Sequence, residues 1–163
     1  MKVIRNLAMA AALALPLVAH AEPQNNDHAL NGVESGDVIW DITLSQPAQL
    51  TAQMEVIRET YHDLEENGVE PRMVLAFHGQ NVHFLTEDLE SVSLEQMDQV
   101  ERFNAALDTL LELDNVRVEA CAIANRLFGA DGGAMRDDVN VVGNTYVSNI
   151  GYTQQGYSII GIR

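Results

Sequence analysis

The sequence predicts an α/β fold, a parallel sheet of five strands in three layers with helices on both faces. Three observations carry this reading. Short apolar runs alternate strictly with helical segments along the chain. Those runs are continuously apolar, as strands covered on both faces must be. The chain has 163 residues, 47% of them hydrophobic and 20% charged, which suits one globular core and excludes disorder and low-complexity arrays.

The first residues stand apart from the fold. Lys2 and Arg5 form a positive start, Leu7 to Val18 an apolar run of 12 residues, and Ala19-His20-Ala21 a small-residue cleavage site. This is the pattern of a secretory signal peptide covering residues 1–21. The run is shorter than the roughly 20 residues that span a bilayer. An exported chain, periplasmic or secreted, is expected, with no membrane attachment after cleavage. Residues 22–37 are polar, carry Pro23, Gly32 and Gly36, and read as a flexible segment.

The domain is expected over residues 38–163. Val38–Leu44 is rich in β-branched residues and reads as the first strand. Ser45 and Pro47 announce a helix, with Ser45 as cap and Pro47 in the first turn. Leu50, Met54, Ile57, Tyr61 and Leu64 then form one apolar stripe, and Asn67-Gly68 ends it. Met73–Phe77 is the second strand, stopping at His78-Gly79-Gln80-Asn81. Ser93 and Gln96 have the spacing of a capping box. Leu94, Met97, Val100, Phe103, Leu107 and Leu111 make the next stripe, closed by Asn115. Val116–Cys121 is the third strand, Ala122–Phe128 a short helix stopped by Gly129, and residues 130–138 a loop. Val139–Val142 is the fourth strand. Asn144 can cap a last helix running through Gln155, and Tyr157–Ile162 is the fifth strand.

Composition narrows the function. The formal net charge is -15, and removal of residues 1–21 takes Lys2 and Arg5 but no acid, so it becomes -17. All remaining cations are then Arg. Such a surface repels phosphate backbones and anionic lipid, which argues against nucleic acid as a partner. A single Cys excludes an intrachain disulfide and a C-x-x-C motif. The glycines around Gly132 follow a helix and lack a P-loop Lys, the acids around Asp137 do not match an EF-hand, and no G-x-S-x-G elbow is present.

Open α/β sheets gather ligands at the carboxyl ends of their strands. That rule selects Cys121 and His78. Cys121 would sit between a strand and a helix, where the N–H groups of residues such as Ile123 and Ala124 favour the thiolate. The alternatives are a thiol packed as a small apolar residue and a disulfide between two copies. His78 could stabilise the thiolate or move a proton. Gly79, Gln80, Ala122 and Ile123 are the expected pocket residues. His78, His83 and Cys121 offer a weaker option of a transition-metal site with no diagnostic spacing, and neither a metal nor an organic cofactor is expected.

These segments resemble the DsrE/DsrF-like family of sulfur-relay proteins. The likeness rests on Val116–Cys121 with its helix to Gly129, on Val139–Val142 with the helix and the Gln155–Ile160 segment after it, and on the His78-Gly79 turn. It covers residues 38–163. It implies a three-layer α/β/α fold, association into trimers or hexamers, and a Cys121 that accepts sulfur as a persulfide, with His78 and Gly79 lining its pocket. The partners would be further copies of the chain and either a small sulfur species, such as thiosulfate or a polysulfide, or a sulfur-relay protein. Ile123 departs from the family pattern, where many relatives have Asn. The Asn81–Ser93 segment is longer than usual and is expected to cover the site.

Overall fold

The computed structural model describes residues 25–163, so the expected signal peptide lies outside the described residues. The chain forms a three-layer α/β/α domain around five parallel strands in the order β4-β3-β2-β1-β5. Its elements are α1 (Asp27–Leu30), β1 (Ser35–Ile42), α2 (Pro47–Glu66), β2 (Glu70–Phe77), α3 (Met97–Leu111), β3 (Val116–Cys121), α4 (Ala122–Phe128), β4 (Val139–Val142), α5 (Thr145–Gln154) and β5 (Ser158–Ile162). A 3-10 turn, Gln80–Leu85, follows β2. Among the described residues no helix is long and apolar enough to cross a membrane.

The two layers of helix are unequal, and the strand order explains why. The chain steps from β1 to β2, β3 and β4 in one direction, so right-handed crossovers keep α2, α3 and α4 on one face. Only the return from β4 to β5 reverses direction, and it carries α5 across the other face. The large core therefore lies under α2 and α3. It joins Trp40, Ile42, Met73, Leu75 and Phe77 of the sheet to Leu50, Ile57, Phe103 and Leu107 of the helices. Among the described residues, the buried apolar cluster of the opposite face is Ile39, Val74 and Ala76, covered by Tyr152 and Tyr157.

Several boundaries differ from the sequence reading. β1 starts at Ser35 and β2 at Glu70, each three residues early. The strand β1 thus takes up part of the segment expected to be flexible, and α1 is a single helical turn within it. Pro71 is tolerated inside β2 because Glu70 N–H points to β1, so position 71 faces the β3 side, where pairing begins only at Met73. Gln46, not Ser45, precedes the first helical residue of α2. Ser93 Oγ does meet Gln96, at 3.3 Å, but as a separate turn, with α3 beginning at Met97. Leu94 accordingly stays out of the core at 90% exposure, and Leu110 is buried where Leu111 was expected.

Candidate functional site

Register builds the site. Phe77 pairs with Ala120, so the residues that follow, His78 and Cys121, stand side by side at the carboxyl edge. Asp41 lies at the same end of β1, one residue before Ile42, the partner of Phe77. β4 ends beside Cys121 through the Cys121–Val142 pair, and Gly143 then turns the chain into α5. Asn144 caps that helix by accepting Tyr146 N–H at 2.9 Å. The first residue of α5, Thr145, is thereby set against the Cys121 sulfur.

Cys121 is 4% exposed and lies at the floor of an open cavity of about 210 Å³. His78, Asn144 and Thr145 supply the other polar lining, and Ile123, Leu127, Phe128 and Tyr146 the apolar walls. Burial pushes the thiol upward. The N–H groups of Thr145, Ala124 and Ile123 and the Thr145 hydroxyl outweigh it, leaving Cys121 below the ordinary thiol value. These groups are orphan donors of helical first turns, so they stabilise negative charge without any cation. The Thr145 hydroxyl has no hydrogen-bond partner of its own and is 1% exposed. It is left to donate to the sulfur once the thiol ionises.

His78 shares the cavity with Cys121 and is anchored from behind by Asp41. Its Nε2 meets Asp41 Oδ1 at 2.7 Å. A carboxylate only accepts, so Nε2 carries the hydrogen of this bond and Nδ1 is left out of it. The ring also packs edge-on against Tyr146, with centroids 5.2 Å apart. Asp41 is buried and accepts two further bonds, from Asn149 Nδ2 at 2.9 Å and Arg163 at 3.3 Å. Three donors are what a buried carboxylate needs to remain tolerable. Asp41 and Tyr146 also line a second cavity, on the α5 side, so Tyr146 stands between the two.

The other sequence-selected residues are placed as follows. Ile123 lines the Cys121 cavity, whereas Ala122, Gly79 and Gln80 do not. Gly79 serves the backbone: a Cβ there would stand 2.9 Å from Thr43 O. Gln80 is exposed at the start of the 3-10 turn. His83 turns away to Ser91, 2.7 Å from its Oγ. Among the described residues no three His, Cys, Asp or Glu side chains converge to hold a metal. The Asn81–Ser93 segment does not cover the site. Val82, Phe84 and Leu85 are drawn into the core instead, and none of the segment lines the cavity. Asp41, Thr145, Asn149 and Tyr146 escaped the sequence reading. Asp41 left one signal, a lone charge inside an otherwise apolar strand.

No family model matches the chain. It is 27% identical over 112 residues to an uncharacterised protein of Aquifex aeolicus (strain VF5), a match spanning 69% of this chain and 45% of that protein. The chain thus corresponds to less than half the length of that relative. It also superposes on the solved structure of a protein of unknown function from Methanobacterium thermoautotrophicum. There the TM-score is 0.61 at 20% identity, covering 78% of this chain and all of the other. That likeness is one of fold.

Proposed function

We propose that this protein is an exported carrier of sulfane sulfur, a member of the DsrE/DsrF-like relay type, with Cys121 as the acceptor. The Cys121 thiolate attacks the outer sulfur of a sulfane donor. A Cys121–S–S⁻ persulfide forms, the donor's S–S bond breaks, and the electron pair leaves with the donor's remaining half. With thiosulfate that half is sulfite. The charge on sulfur is one before and one after, so the same donors from Thr145, Ile123 and Ala124 serve both states. His78, with Nε2 held by Asp41, presents Nδ1 to take or return a proton. Further copies of the chain are the expected assembly partners, since residues 139–162 contain no charged side chain in an otherwise strongly acidic protein.

The observation that carries this reading is the chain's single thiol at a cavity floor, held below the ordinary thiol value by donors converging on it. The test is intact mass after treatment with polysulfide, beside Cys121→Ser. A gain of sulfur that reductant reverses and the variant lacks supports the reading. No adduct on a verified reduced thiol sinks it. A second reading has its own observation: Cys121 packs among the core residues, as a structural thiol in a binding or assembly module would. It predicts that a thiol reagent modifies Cys121 only after unfolding.

A further inference from the structure

The cavity also constrains the sulfur donor. Resting on the carrier reading above, we infer that the donor is a sulfane of low charge with a small apolar body, such as an organic persulfide, and not a sulfur oxyanion. Among the described residues no Lys or Arg lines the cavity. Its walls are Ile123, Leu127, Phe128 and Tyr146, and its one basic group, His78, is committed to Asp41. The donors that converge on the sulfur suffice for one negative charge. Thiosulfate would bring two more into the same low-dielectric space, past a surface of net charge -15. An organic persulfide brings at most one charge and offers its body to the apolar walls. Size sets the limit of that body. An apolar cavity of about 150 Å³ holds benzene, so about 210 Å³ admits one ring or a short alkyl chain. A glutathione-sized body, with its two carboxylates, fits neither the volume nor the charge.

The transfer balances without a further reagent: Cys121–S⁻ and R–S–SH give Cys121–S–S⁻ and R–SH. The S–S bond of the donor breaks, the new one forms on Cys121, and the proton ends on the leaving thiol.

The experiment compares initial rates of sulfur loading on the reduced full chain, followed by intact mass, for benzyl hydropersulfide and thiosulfate at equal concentration. Benzyl hydropersulfide should load at least about tenfold faster, adding the mass of sulfur alone. Added salt should speed thiosulfate more than it speeds the persulfide. Leu127→Lys tests the charge argument directly. Leu127 is 73% exposed on α4, so a Lys is accommodated there without disturbing the core. It should raise thiosulfate loading several-fold and narrow the ratio. Thiosulfate loading as fast as the persulfide overturns the inference while leaving the carrier reading intact. So does an unchanged ratio in Leu127→Lys. A benzylthio adduct, the product of attack at the inner sulfur, overturns the transfer step. Loading by neither donor, on a thiol that iodoacetamide still modifies, overturns the carrier reading itself.

Discussion

At the scale of single residues, Thr145 is the group on which the chemistry of Cys121 turns. Its N–H and hydroxyl both favour the ionised sulfur, and the hydroxyl does little else. Thr145→Val keeps the shape and the N–H and removes one donor to a charge. The pH midpoint of Cys121 alkylation should rise, and an unmoved midpoint would remove the hydroxyl from the site. The same shift enters stability. A thiol held below its unfolded value makes the fold more stable once it is ionised, fully so above the ordinary thiol range, and that gain disappears as pH falls through the lowered value. As pH rises towards and past the ordinary thiol value of about 8.5, urea midpoints of the wild type should therefore rise relative to Cys121→Ser. Asp41 carries a different burden. Asp41→Ala would leave His78 and Asn149 facing a buried void without their acceptor, at a cost of about 3 kcal/mol, read as a lower urea midpoint. Cys121 and His78 were legible because strand-end position is a local property of the sequence. Thr145 and Asn149 were not, because they join the site only when α5 folds back over the sheet, bringing chain positions 108 residues apart into one hydrogen bond, and Asp41 was not, because its place beside His78 depends on the β1–β2 register.

At the scale of elements, α5 does most to assemble the site. It connects the two edge strands, so its first turn is fixed over β3 while Asn149 reaches β1 and Tyr152 reaches Glu119 of β3, with its hydroxyl 2.9 Å from Oε1. Its orientation depends on the Asn144 cap. Asn144→Ala should lower stability by about 1 kcal/mol, and loosening of Thr145 should slow Cys121 alkylation at neutral pH by a larger factor than it slows a surface thiol introduced elsewhere. Equal slowing of both would detach α5 from the chemistry. The elements themselves were well marked in the sequence where both faces are buried. The bounds of β3, α4 and β4 follow directly from their apolar runs and from Gly129, whose φ of 77° suits a glycine after a helix. The beginnings of β1 and β2 were hidden because Ser35–Asp37 and Glu70–Arg72 carry Ser, Gly, Pro and charged residues, whose composition is that of a loop. Leu94 misled for the opposite reason: it continues a helical spacing that the Ser93–Gln96 turn does not adopt.

At the scale of the whole molecule, the uneven layering leaves α5 with one side on the sheet and the other open. Tyr146, Val147 and Ile150 are more than half exposed on that outer side, and Ile159 of the edge strand β5 adds to them. An acidic chain repels copies of itself everywhere that its carboxylates face one another. Residues 139–162 carry no charge, so two copies meeting there bury apolar surface without opposing carboxylates. Such a surface favours the contact between copies proposed above, whereas a basic partner would seek the acidic remainder of the surface. Ile150, 65% exposed at the centre of the outer face, is the position to disturb. Ile150→Glu places a charge where each copy would have to bury one, yet leaves the core untouched. Sedimentation velocity should show the wild type as an oligomer that strengthens with added salt as long-range repulsion is screened. The variant should sediment as a monomer with the same helical circular dichroism. A wild type that stays monomeric at high salt would overturn the contact. Oligomerisation that survives Ile150→Glu would move it to another face. Because Tyr146 also walls the Cys121 cavity, a copy seated on α5 would cover part of the cavity mouth. Association should then slow alkylation of Cys121 by a bulky maleimide more than by iodoacetamide, and Ile150→Glu should remove that difference.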